Sequence, residues 1–229
     1  MKLHKVLTIN GQPFEVVSDE VRLDLHTPGR ASFRIKSATA QRGLVCLDIG
    51  YNDKPLQRHF LGYIEQCTAA NGLEQVLFCR ELTATLSRSL PLGLRHVDLP
   101  AVLSEITRSS CLRFRLPATG YAKVRVPYFY SLGTGVQALD SLGRVFSIPD
   151  FIWHQQGDGD VYVGSWADSY WGTRPALQLP AELFGAHLGN QSAEVAALPG
   201  VRPGALIDQG RITSVTLADT KMVLKWKKS

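Results

Sequence analysis

Apolar and polar residues alternate through the first eighty positions, the period-two signature of strands with one buried face. Val21-Arg22-Leu23-Asp24-Leu25-His26 and Ala31-Ser32-Phe33-Arg34-Ile35-Lys36 show it most clearly. Lys5–Ile9 and Phe14–Val17 flank Asn10-Gly11, two residues that tolerate the positive φ of a type I′ turn, so the chain is predicted to open on a hairpin. Pro28-Gly29 and Asn71-Gly72 mark further turns. Gly43–Gly50, Arg58–Glu65 and Glu74–Cys79 add strands, with a polar loop beginning at Asn52-Asp53. Strands joined this tightly predict a sandwich or a closed barrel.

The period changes after Phe78-Cys79-Arg80-Glu81. Leu82–Leu90 reads as a polar, Thr- and Ser-rich turn of helix, and Pro91-Leu92-Gly93 as a break. Val97–Cys111 then keeps helical spacing, with Asp98 as N-cap, Pro100 in the first turn, and Leu99, Val102, Leu103 and Ile106 on one face. Leu112–Leu116 alternates as a short strand, followed by Val124–Val126 and Tyr128–Tyr130. Thr134–Gly143 predicts a second short helix, capped by Thr134 and closed by Gly143. Phe151–His154 and Asp160–Gly164 flank Gly157-Asp158-Gly159 as a hairpin. The Pro- and Gly-rich stretch 172–204 is expected to hold at most one helical turn, around Glu182–His187. Arg211–Leu217 and Met222–Trp226 close the chain as a hairpin across Ala218-Asp219-Thr220. The pattern predicts a mainly β (α+β) fold in three consecutive parts: a β-barrel over 1–92, a small inserted α/β element over 93–150, and a second β module with the closing hairpin over 151–229.

Composition supports this without adding chemistry. The chain has 229 residues, 45% of them hydrophobic, enough for an ordinary core, and its 20 Gly and 12 Pro fall mostly between alternating segments. No run approaches the length of a membrane span, and Met1-Lys2-Leu3-His4-Lys5 leads into a polar strand, so a soluble, cytoplasmically made chain without a membrane-spanning segment is expected. A net charge of +5 permits contact with nucleic acid or an acidic partner without demanding it. Lys221, Lys225, Lys227 and Lys228 interleave with Met222, Leu224 and Trp226, the pattern of an edge strand protected by charge. Cys46, Cys67, Cys79 and Cys111 are widely separated, with no His at ligand spacing, and read as free thiols.

Motifs that carry chemistry have plainer explanations here. Gly133-Thr134-Gly135-Val136-Gln137-Ala138 fits a dinucleotide fingerprint, but Pro127 precedes it and no series of βαβ units surrounds it, so a Thr-capped helix is expected. Asp158, Asp160 and Asp168 lack the distal Glu of a calcium loop. Glu65, Glu81 and Asp150 are acids without a demonstrable partner, the six His are dispersed, and no G-x-S-x-G occurs. No catalytic, cofactor-binding or metal-binding residue is expected. Trp153, Tyr162, Trp166, Tyr170 and Trp171 concentrate aromatic surface in the third quarter, and Trp153, Trp166 and Trp171 would serve a carbohydrate- or peptidoglycan-binding module. A cell-wall hydrolase with an unrecognised cleft is a third reading.

The order of features carries a resemblance. Leu25-His26-Thr27-Pro28-Gly29-Arg30-Ala31-Ser32-Phe33 leads to Phe60-Leu61-Gly62-Tyr63-Ile64-Glu65, then Cys79–Leu86 and the helix Leu99–Ser109. Next come Ala138-Leu139-Asp140-Ser141-Leu142-Gly143, Asp158–Trp166, Val201-Arg202-Pro203-Gly204 and Arg211–Val215. This set resembles the tail baseplate hub proteins of bacteriophages, the late control protein D family, which includes the Mu-like hub and is related to the amino-terminal part of type VI secretion spike proteins. The resemblance implies tail-tube-like β-barrels, a non-enzymatic virion protein of the baseplate or tail tip, and a homotrimeric ring. That ring would join the tail tube or distal tail protein to spike, fibre or tip proteins, around a channel for the tape measure protein and transient, non-specific DNA passage. Against that family the chain is expected to be a short member with trimmed inserted domains and neither a spike nor a lysozyme module. Arg22, Arg34 and Lys36, if turned toward such a channel, would meet phosphate by salt-dependent attraction.

Overall fold

The computed structural model describes residues 2–52, 54–189 and 191–228. Met1 of the leading segment and Asp53 of the expected polar loop lie outside the described residues. The strands run in chain order as β1 (Leu3–Ile9), β2 (Gln12–Phe14), β3 (Val16–Asp24), β4 (Arg30–Lys36), β5 (Leu44–Tyr51), β6 (Gln57–Asn71) and β7 (Glu74–Glu81). They continue as β8 (Leu92–Val97), β9 (Phe114–Arg115), β10 (Val126–Ser131), β11 (Phe151–Gln155) and β12 (Val161–Ser165), then β13 (Phe184–Gly189), β14 (Ser192–Ala196), β15 (Leu206–Ile207), β16 (Gly210–Ala218) and β17 (Lys221–Lys227). Helices α1 (Leu99–Ser110) and α2 (Gly135–Val145) follow β8 and β10. With 50% of residues in strands and 17% in helices, the fold is mainly β, as the alternation predicts.

Two compact units form. The first comprises Met1–Asp24, Pro28–Glu81 and Ala176–Ser229, and the second Leu25–Thr27 and Leu82–Pro175. Three consecutive parts at 1–92, 93–150 and 151–229 do not describe this grouping, and strand pairing is the reason. β16 pairs with β3 from Ser214 opposite Asp24 to Ala218 opposite Glu20, so the closing hairpin continues the N-terminal sheet. Among the described residues this curled sheet has twelve strands, in the order β13-β14-β17-β16-β3-β4-β7-β6-β5-β1-β2, with β15 beside β16.

Period-two alternation sends Val21, Leu23, Phe33, Ile35, Leu47, Phe60, Leu77, Val215 and Leu224 to one buried face of the sheet. Phe33 and Phe60 meet edge to face at 6.0 Å. Gly62 is fixed by close approach of the backbone: a Cβ there would lie 2.1 Å from the Arg80 carbonyl oxygen. The opening turn is as expected, with Asn10 at φ 49 and Gly11 at φ 83. Two expectations fail at the other end. The stretch 172–204 contains strands β13 and β14 besides a short helical turn at Ala181–Leu183, and β14 pairs with β17. Consequently β17, with Lys221, Lys225 and Lys227, is flanked on both sides and is no edge strand; its lysines occupy the polar face of an interior strand.

The second unit packs α1 and α2 around Leu86, Leu99, Val102, Ile106, Phe129, Leu139, Leu142, Phe146, Trp153 and Val161. Asp98 Oδ1 accepts the Ala101 N–H at 3.0 Å, and Cys111 ends α1 in the left-handed region at φ 59. α2 begins with a complete capping box: Thr134 Oγ1 accepts the Gln137 N–H, and Gln137 Oε1 accepts the Thr134 N–H. The Leu82–Ser87 segment is a 3₁₀ helix, matching the expected polar turn. β8 and β10 form a two-stranded ribbon; β11, β12 and β9 form a separate small sheet in which β9 runs parallel to β12.

The cap makes a direct prediction. Thr134→Ala should lower unfolding free energy by about 1 kcal/mol in denaturant titrations. Gly133→Ala should cost less, because its Cβ would lie 1.9 Å from Gln137 Oε1 and displace only the flexible end of that side chain, with the other half of the box.

Candidate interaction surfaces

The solvent face of the first unit is an ordered field of charge. Register places Arg22 opposite Arg30 and Arg30 opposite Arg80, three guanidinium groups in one row across β3, β4 and β7. Like charges in that position repel, and acids distribute themselves accordingly. Asp24 holds Arg22 at 2.9 Å, Glu74 holds Arg34 at 2.6 Å, Glu15 holds Lys36 at 2.5 Å, and Glu65 lies 3.8 Å from Arg80. Arg58 pairs with Asp48 beyond them. Arg30 has no ion-pair partner among the described residues. Arg22, Arg34 and Lys36 do share a face, as the alternation predicts, but each is already neutralised.

Beneath that face lies an ionic cluster that sequence reasoning did not assemble. Glu81, at the end of β7, accepts the Gly29 N–H on Oε2 at 2.7 Å and Arg202 Nη2 on Oε1 at 3.2 Å. Arg202, in the buried segment 201–205, also donates Nη1 to the His59 carbonyl oxygen at 2.7 Å. Burial pushes the Glu81 carboxyl up to about 7, against the opposing pull of Arg202 and the Gly29 N–H. Burial, with the Arg202 and Lys5 charges, holds His59 down to about 3, and both its ring nitrogens lack hydrogen-bond partners among the described residues. The one available signal was that a buried charge needs a partner: Glu81 ends an alternating strand, and Arg202 stands between apolar and turn residues.

In the second unit the aromatic concentration does not make a shared platform. Trp153 is buried, its Nε1 donating to Asp140 at 2.6 Å, and Tyr162 is buried with its hydroxyl on the Ser165 carbonyl at 2.7 Å. Tyr170 meets Trp171 edge-on at 5.0 Å and carries Arg174 over its ring at 3.8 Å, while Trp166 is half-buried. A binding row of Trp153, Trp166 and Trp171 is therefore corrected: Trp153 belongs to the core. Asp158 and Asp160 pair with Arg115 at 2.5 and 2.8 Å, Arg113 reaches Asp160 at 2.8 Å, and Asp168 accepts the Tyr121 hydroxyl at 3.0 Å. Among the described residues no group of three or more His, Cys, Asp or Glu could hold a metal ion. The four cysteines are free thiols, and burial pushes Cys79 up to about 12.

What this unit exposes is the β8–β10 ribbon. Tyr128, Tyr130 and Leu132 are about two-thirds exposed, with Arg95 opposite Tyr128 and 5.8 Å from its ring centroid. Phe129 points the other way into the core. Tyr128 and Tyr130, two residues apart on β10, therefore share one solvent face of the ribbon.

The fold is shared with phage tail proteins and type VI secretion spike proteins. The 43 kDa tail protein of prophage MuSo2 from Shewanella oneidensis matches at TM-score 0.71 and 10% identity, over 97% of both chains. An Escherichia coli component of the type VI secretion system, described as structurally similar to the T4 tail proteins gp27 and gp5, matches at TM-score 0.63 and 14% identity, over 97% of this chain and 79% of that one. In sequence, a 58.7 kDa protein from the lys 3′ region of Haemophilus phage HP1 (strain HP1c1) is 28% identical over 225 residues, 98% of this chain. The chain spans 42% of the length of that relative. No protein-family model matches.

The cluster fixes a pH dependence. Glu81, raised in the folded state, contributes stability that is full below its unfolded value of 4.5 and lost as pH rises through 7. His59, depressed, contributes stability present above 6.5 and lost as pH falls toward 3. The two slopes oppose each other between 4.5 and 6.5. Glu81→Gln should unmask the His59 slope, making stability fall on acidification by about 1.4 kcal/mol per pH unit in that window, as read from urea titrations at several pH values.

Proposed function

We propose that this chain is a structural component of a phage tail, the hub of the baseplate or tail tip, forming a homotrimeric ring between the tail tube and the tip or spike. The observation that supports the reading is the match to the MuSo2 tail protein over 97% of both chains, so the likeness is not confined to one part of the fold. The HP1 phage relative supports it in sequence. The work is mechanical and needs no catalytic residue. Neighbouring subunits would meet heterologously, so a surface patch need not match itself. The Tyr128-Tyr130-Leu132 row then serves contact with a neighbouring tail protein, since exposed Tyr and Arg side chains give large contact area at low entropic cost. The charged outer face of the first unit would border the channel for the tape measure protein and DNA.

Mass photometry of the purified chain should give a species of three subunits, and negative-stain images a three-fold ring. A monomer that stays monomeric at high concentration and in the presence of tail tube protein would sink the reading. Tyr128→Ala with Tyr130→Ala should leave thermal unfolding nearly unchanged, because both side chains are mostly in solvent, while reducing incorporation into tails.

A further inference from the structure

A second kind of surface lies in the second unit, in the loop that follows β12. Ser165 ends the strand, Trp166–Asp168 makes a short 3₁₀ turn, and the next residues fold back on it. Buried Ser169 is the anchor. Its N–H donates to the Trp166 carbonyl at 3.0 Å, its carbonyl accepts the Thr173 N–H at 3.2 Å, and its Oγ accepts the Gly172 N–H at 3.1 Å. Gly172 is required where it stands, since a Cβ there would lie 2.1 Å from the Trp166 carbonyl oxygen. Pro175 narrows the backbone choices of Arg174. The loop presents Tyr170, 50% exposed, Trp171, edge-on to it at 5.0 Å, and Arg174, whose Cζ lies 3.8 Å from the Tyr170 ring centroid. That guanidinium is ordered without being satisfied. Stacking fixes its plane, yet among the described residues it has neither an ion pair nor a side-chain hydrogen bond. Asp168, the acid of this loop, accepts the Tyr121 hydroxyl instead, at 3.0 Å.

We propose that Tyr170, Trp171 and Arg174 form a docking point for an acidic segment of another protein, with one Asp or Glu carboxylate on the Arg174 fork and an adjacent apolar side chain against the rings. A planar guanidinium offers paired N–H donors that match the two oxygens of a carboxylate, and a stacked one gives up little rotamer freedom on binding. Trp, Tyr and Arg are also the residue types that dominate binding energy at protein interfaces. The number of cations separates a carboxylate from a polyanion. Nucleic acid is held by many cations that displace counterions together, whereas from Ser165 to Pro175 Arg174 is the one cation and Asp168 would repel phosphate. A neutral segment would cover the guanidinium and leave it without an acid, at the cost of its hydration. Copies of this chain, at a net charge of +5, repel one another, so the acid is assigned to a different protein. The site is separate from the β8–β10 ribbon and goes beyond the hub reading; ring formation does not depend on it.

The test titrates the full, isotope-labelled chain with the end-blocked peptide Ala-Leu-Asp-Leu-Ala and follows the Trp171 indole and Arg174 Nε–H resonances by NMR. Both should shift saturably, with a Kd of about 1 mM, and the Asn counterpart should bind about tenfold more weakly. Arg174→Lys, which keeps the charge and loses the fork, should weaken the Asp peptide about tenfold. Tyr170→Leu should also weaken it, by releasing the guanidinium from its plane, while thermal unfolding stays nearly unchanged because both side chains are exposed. If Tyr170→Leu disturbs the fold, Arg174→Lys decides alone. The proposal is overturned if neither resonance moves, if the Asn peptide binds as well as the Asp peptide, or if Arg174→Lys leaves binding unchanged. An equal response to sodium acetate overturns it, since no protein segment would then be recognised. Tighter binding of oligothymidylate, abolished by salt, overturns it in favour of a polyanion, and the same shifts on concentrating the protein without peptide overturn it in favour of a second copy. Trimer formation measured on the same variants separates each outcome from the fate of the hub reading.

Discussion

The pairing of β16 with β3 is the constraint from which the first unit follows. Without it β3 would present a nine-residue edge, and β13, β14, β17, β16 and β15 would form a separate sheet with an open edge of its own. With it, Val215 and Leu217 extend the same buried face as Leu23 and Val21, register opposite register, so one core is completed from both ends of the sequence. Such a contact has high loop-closure cost, because nearly two hundred residues lie between its strands, yet that cost grows only slowly with length. It is offset by apolar burial that alternation has already prepared on both strands.

Local pattern was therefore enough for most elements and insufficient for their grouping. The Asn10-Gly11 turn, the Asp98 and Thr134 caps and the β11–β12 hairpin are each determined by residues within a few positions of one another, and each stands where its residues put it. β13 and β14 escaped because Gly185, Gly189 and nearby prolines dilute their alternation, and strand formation there depends on β17 as a neighbour. That same neighbour overturned the edge assignment of the lysine-rich strand. Charge alternating with apolar residues says that one face is wet; it does not say whether the strand's hydrogen-bonding edge is free.

Candidate sites divide in the same way. Gly133 and Gly135 mimicked a phosphate loop, but Gly133 is required by the Gln137 side chain and Gly135 by Leu86, which a Cβ would approach to 2.8 Å. Trp153 mimicked a binding platform because aromatic residues in sequence carry no mark of burial. In the other direction, Glu81 and Arg202 lie 121 positions apart, and only the folded sheet brings them together. Burying an ion pair is weak evidence of stabilisation. The two partners are not equivalent: removing Glu81 would leave the Arg202 guanidinium buried without its acid, whereas removing Arg202 would leave a carboxyl that burial already favours in its neutral form.

The charged face has a functional corollary under the hub reading. Phosphate attraction grows with the number of cations free to displace counterions, and on this face Asp24, Glu74, Glu15 and Glu65 already engage Arg22, Arg34, Lys36 and Arg80. A polyanion moving along it would have to compete with carboxylates a few ångströms from each of these four cations, while Arg30 has no ion-pair partner among the described residues. The three aligned arginines are thus tolerable in the sheet because acids beside Arg22 and Arg80 relieve the repulsion on either side of Arg30.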